Sequence, residues 1–155
     1  MKLKMYSRIV AVGCILASAP VAFLSYPWLP ATVMEFVELQ HDPAPWGTAS
    51  YHQGRAERLE RVNRALLLYG AGTVSLCGLS AIIAQVLPWW LEVSAWALTA
   101  VTALGIARFN TPMMPGIDPA YVFVTVYVPA GIGAIAAVFA VLSLGWQLPH
   151  RFSRK

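Results

Sequence analysis

ALLLYGAGTVSLCGLSAIIAQVLPWWLEVSAWALTAVTALGIA, residues 65–107, contains a single charged side chain, Glu92. A helix rises about 1.5 Å per residue, so about 20 apolar residues cross the ~30 Å hydrocarbon core of a bilayer. The stretch therefore holds two crossings, Ala65 to Leu87 and Trp90 to Ala107, joined by little more than the PWW of residues 88–90. Two apolar helices connected so tightly must return on each other as an antiparallel hairpin. That hairpin decides the fold class.

Two further stretches meet the same length test. Residues 9–29, IVAVGCILASAPVAFLSYPWL, form a first span, and residues 119–146 a last one, long enough to tilt or protrude. The composition agrees: 58% of residues are hydrophobic and 12% charged, against about 25% charged in soluble domains. Too little polar surface remains to coat a globule in water. Tyr26, Trp28, Trp89, Trp90, Tyr121 and Trp146 mark span ends, where amphipathic rings favour the headgroup layer. The expected fold is an all-α, polytopic membrane protein, a four-transmembrane-helix bundle forming a single membrane domain over residues 1–155.

Its spans are 9–29, 65–87, 90–107 and 119–146. A polar loop, 30–64, of about 35 residues contains short helical pieces; a proline-rich loop covers 108–118, and a basic tail 147–155. Asp118 before Pro119 reads as an N-cap with proline at the first helical position, and Pro129 is expected to kink the last span. The first span has a rival reading. Lys2, Lys4 and Arg8, then Ile9 to Leu16, then ASA at 17–19, fit a signal peptide with an A-x-A cleavage site. Pro20 just after the cut and apolar sequence through Leu29 favour an uncleaved span. Cys14 and Cys77 fall in separate spans and read as small apolar groups, not as a disulfide or metal pair.

The polar loop carries most of the ionisable chemistry. ATVMEFVELQHD, residues 31–42, has the pattern of a short amphipathic helix lying at the interface, with Glu35, Glu38 and Asp42 to one side. Glu38 and His41 make one Glu-x-x-His, a spacing at which two helical side chains can share a metal. Di-iron bundles, however, carry two such motifs and further carboxylates. His52, with Met113 and Met114, could supplement the pair, and nitrogen and thioether donors suit copper better than magnesium. No cofactor is expected; copper or iron at Glu38, His41 and His52 is the alternative.

SYHQ, residues 50–53, matches a capping box. The helix it opens continues through Arg55, Arg58, Arg61 and Arg64 into the second span. Arginines at three-residue steps wind round a helix, and Glu57 to Arg61 and Glu60 to Arg64 are i,i+4 pairs. They read as a solvated collar that contacts lipid headgroups or a partner. Gly70 and Gly72 in the second span, and Ala130, Gly133, Ala134 and Ala137 in the fourth, are the expected helix-packing positions, because small residues let backbones approach within lipid.

Four spans put both termini on one side. Six basic residues flank that side (Lys2, Lys4, Arg8, Arg151, Arg154, Lys155) and five the other (the four arginines and Arg108). The positive-inside rule then places N- and C-termini in the cytoplasm by a narrow margin. The net charge of +4 belongs to loops and tails, so the bilayer and other membrane subunits are the expected partners and nucleic acid is not. No charged group lies near the middle of a span, which disfavours a proton-coupled transporter. No hydrolase, zinc-protease, phosphate-loop or dinucleotide motif is present either. The expected function is a non-catalytic accessory, assembly or stabilising subunit of a larger membrane complex. The alternatives are the metal-binding protein or oxidoreductase subunit described above, and a small transporter or lipid-handling protein.

Overall fold

The structure, a computed structural model, describes residues 2–25, 28–41, 49–111 and 118–152, with side chains over 4–24, 32–40, 53–111 and 118–146. Every regular element among them is helical. In order these are α1 (Lys2–Ser25), α2 (Trp28–His41), α3 (Ala49–Ala84), α4 (Trp89–Asn110), α5 (Pro119–Val122), a π-helical turn (Phe123–Tyr127) and α6 (Val128–Phe152). Four helical stretches are long and apolar enough to cross a membrane: Lys4–Leu24, Gln53–Ala84, Trp89–Asn110 and Pro119–Trp146.

The helix ends follow local chemistry. α3 stops at Ala84 because Gln85 takes a left-handed conformation, φ 57°. The amide of Gln85 then donates to the carbonyl of Ile82 at 3.1 Å and that of Val86 to Ala81 at 3.2 Å, the two bonds of a Schellman ending. Pro88 is the N-cap of α4, so the α3–α4 connection is the tight reversal that the apolar pattern requires. Asp118 caps α5, its carboxylate accepting from the amide of Ala120 at 2.8 Å, with Pro119 in the first helical position. At the start of α3 the helix already includes Ala49, so Ser50 sits inside the first turn and not at the cap. Gln53 reaches forward to Glu57 at 3.3 Å instead of back.

Pro129 acts further from itself than a kink. It has no N–H, so the carbonyl of Thr125 loses its helical donor. The turn before it widens to the π pattern, with the Val128 amide bonding Phe123, five residues back. The freed carbonyl of Thr125 accepts instead from the side-chain amide of Asn110, at the end of α4, at 3.0 Å. This is how a proline survives inside an apolar helix: a neighbouring side chain replaces the missing donor.

α4 lies at the centre, packing most extensively on α6 and then on α3, while α1 bridges α3 and α6. Its buried residues are mostly small: Ala95, Thr99, Ala100, Thr102, Ala103 and Ala107, with Trp96 as the exception. Small residues on the partners match it. A Cβ on Gly133 would stand 2.7 Å from Leu104 Cγ and 3.1 Å from the Leu104 backbone nitrogen; one on Gly78 would stand 3.0 Å from Ala95 Cβ. A methyl group has no room at Gly133, and at Gly78 it would fit only if Ala95 gave way by a few tenths of an ångström.

Gly133→Ala should lower the thermal midpoint in detergent, by an amount equivalent to about 1–3 kcal/mol of overpacking. Gly131→Ala, where a Cβ meets nothing within 4 Å, should be neutral or slightly stabilising, as Ala favours helix by about 1 kcal/mol over Gly. Asn110→Ala should cost about 0.6–1.7 kcal/mol, the range for interhelical hydrogen bonds in membranes. It should cost less in a Pro129→Ala background, where the backbone donor is restored. A double-mutant cycle read by thermal unfolding checks the coupling.

Candidate functional site

The arginine segment and α2 form one structural unit. Leu39 of α2 is buried, and the guanidinium of Arg55 donates to the Leu39 carbonyl. Arg58 faces Glu35 at 3.7 Å and Arg64 pairs with Glu60 at 2.6 Å; all four of these side chains are substantially exposed. Glu57 accepts from Gln53, and Arg61 is exposed. The collar is thus partly a clamp: Arg55 and Arg58 hold α2 against the first turns of α3. Exposed ion pairs add little to stability. The carbonyl bond places Arg55 where α2 ends its hydrogen-bonded ladder, a favourable location for a cation. Val33, Met34 and Val37 remain exposed on α2.

Of the proposed metal ligands, Glu38 is exposed on α2. The side chains of His41 and His52 lie outside the described residues, as do Met113 and Met114. Among the described residues no three His, Cys, Asp or Glu side chains converge. The packing positions divide. Gly133 is buried, and Ala137 packs against the core. Gly72 makes ordinary contact with Thr102 Cγ2 at 3.9 Å, and Ala130 is half-buried. Gly70 and Ala134 point outward, and nothing lies within 4 Å of where a Cβ on Gly70 would be.

Two features between the helices have no counterpart among the sequence motifs. The first is a chain of polar contacts. Trp96, fully buried, donates from Nε1 to Ser7 Oγ at 3.3 Å, and Ser7 Oγ donates to Glu92 Oε1 at 2.8 Å. The indole also lies 5.2 Å from the Phe139 ring, tilted by 35°. α1, α4 and α6 therefore meet at one tryptophan. This gives Glu92 a donor and gives the indole N–H an acceptor, and an unmet group of either kind would be costly in a buried site.

The second feature is a cavity of about 260 Å³ between α1, α3, α4 and α6. Cys14 and Ser18 of α1, Leu76 of α3, Thr99 and Thr102 of α4 and Ile132 of α6 line it. Its hydroxyls are turned back on their own helices: Ser18 to Ile15, Ser75 to Ala71 and Thr99 to Ala95, each at 2.8 Å, and Thr73 to Tyr69 at 3.1 Å. Ser75 also meets Thr102 at 3.3 Å. The walls are therefore largely apolar. Ala22 and Thr73, the lining residues most open to the outside, lie on α1 and α3, which puts the mouth between those helices. Cys14 and Cys77 are free thiols, one buried and one exposed.

Trp96→Phe keeps an aromatic ring but removes the N–H donor. It should lower the unfolding midpoint, and by less in a Ser7→Ala background, where the indole has already lost its acceptor. Trp96→Ala should cost about 3–5 kcal/mol, as large-to-small core changes do.

Comparison of the chain with known protein families, with curated proteins and with solved structures gives no match.

Proposed function

We propose that this chain is an integral membrane protein that inserts four transmembrane helices with both termini in the cytoplasm. It serves as a non-catalytic accessory, assembly or stabilising subunit of a larger membrane complex. One observation carries this reading. The hydroxyl, indole and amide groups within the four apolar helices are taken up by the protein itself, between helices in the Ser7–Glu92–Trp96 chain and the Asn110–Thr125 bond, and within helices in the hydroxyl-to-carbonyl bonds. What is left to act with is surface. Large apolar side chains such as Leu67, Val74, Val101, Val138 and Val141 point outward, as helices do toward lipid or toward other helices. The orientation rests on six basic residues against five, with α1 leading.

A second reading, lipid handling, is favoured by the cavity and its mouth between α1 and α3. Purification of the full chain from its native membrane in mild detergent separates the two. A partner at fixed stoichiometry is the expected result. A chain that purifies alone, with bound lipid lost when the cavity is filled by Ser18→Leu, favours the second reading. Bound copper or iron that disappears in a His41→Ala, His52→Ala variant would favour the metal site instead. Reporter fusions after residue 48 and at the C-terminus should report opposite sides, the terminus cytoplasmic.

A further inference from the structure

We propose that a cleft where α1 begins, against the α3–α4 turn, binds the phosphate of an acidic phospholipid. This rests on the membrane reading above and adds a ligand class to one place in the fold. Lys4 and Arg8 of α1 line the cleft with Ile82 and Gln85 from the end of α3, Leu87 of the turn, and Glu92 of α4. Two cations thus face one carboxylate, and that carboxylate already accepts from Ser7 at 2.8 Å. Among the described residues neither Lys4 nor Arg8 forms an ion pair, and the Nε of Arg8 is buried with no hydrogen-bond partner.

A buried charged donor without an acceptor is unfavourable, and a guanidinium is shaped to grip phosphate through parallel N–H groups. An anion in the cleft supplies that acceptor. α4 starts at the same place with Pro88 as its N-cap and no side-chain cap, so the positive end of its dipole adds to the two cations. The volume, about 30 Å³, gives room for about two oxygen-sized groups. That suits the oxygens of a phosphate whose remainder stays outside.

Position selects the lipid over free phosphate. Lys4 is exposed at the rim, and the uncharged apolar run of α1 starts at Ile9, one residue past Arg8. The cleft therefore lies at headgroup depth on the side with both termini. Basic pockets between helices on the cytoplasmic face hold such headgroups. A choline headgroup, with its own cation beside the phosphate, is disfavoured by Lys4.

The test is native mass spectrometry of the full chain in mild detergent. Short-chain phosphatidylglycerol, phosphatidylcholine of the same chain length and inorganic phosphate are added separately. Phosphatidylglycerol should be retained several-fold better than phosphatidylcholine. Arg8→Gln should abolish that preference and Lys4→Gln should reduce it; Arg108→Gln, exposed at the far end of α4 from the cleft, should leave it unchanged. Lys4, being exposed, keeps the test decisive if Arg8→Gln does not fold. Equal retention of the two lipids, or an unchanged preference in both cleft variants, overturns the proposal; so does binding of inorganic phosphate without lipid preference. An alkaline carbonate wash tests the underlying membrane reading separately. Release of the chain from membranes sinks that reading, whereas a chain that stays put without lipid preference sinks only the cleft.

Discussion

The backbone approach of α6 to α4 is the constraint on which the other contacts depend. At Gly133 there is no space for a Cβ beside Leu104, and the two helices share the most extensive packing in the bundle. Dispersion falls off steeply with small gaps, so close backbone approach is the main way for apolar helices to hold each other where no water is released. Once α4 and α6 are joined in this way, Trp96 of α4 is held against Phe139 of α6. Its indole N–H then needs an acceptor, and Ser7 brings α1 to supply it. Gly78 against Ala95 repeats the same device on the α3 side.

The polar residues among the apolar helices extend this logic. Several of them are paired where an unmet group would be costly. Glu92 takes a hydroxyl, Thr125 takes an amide from another helix, and the cavity hydroxyls return to carbonyls one turn back. Backbone and side-chain groups in an apolar surrounding must be satisfied internally. Where α1 begins, Lys4 and Arg8 are the cations that line the cleft beside Glu92.

Which parts could be read from the sequence has a physical reason in each case. The hairpin of α3 and α4 was legible because length and lack of charge determine a long apolar helix, and Pro88 leaves little latitude in the turn. Asp118 and Pro119 were legible because a cap is a local interaction. The facing of the small residues was not. In a helix that is apolar all round, no polar stripe marks the outer side, so Gly70 and Gly133 look alike although one is exposed and the other buried. The contact of Ser7 with Glu92 and Trp96 joins residues 85 and 89 positions apart, beyond any local pattern. Pro129 signals a disturbed helix, but only the fold reveals that Asn110 repairs it. Arg55 and Arg58 wind round α3 as their spacing implies, yet α2 gives them a shared direction that spacing alone lacks.

The length of α3 has a mechanical side. It runs unbroken for 36 residues, about 54 Å at 1.5 Å per residue, while the hydrocarbon of a bilayer is about 30 Å thick. In the proposed membrane setting roughly 24 Å of the same helix stands clear of the apolar layer, with α2 strapped to it through Arg55 and Arg58. One continuous helix thus joins the α2 contacts at its start to Ile82, which lines the cleft beside α1, near its end, so the two ends of the bundle share a single rigid element.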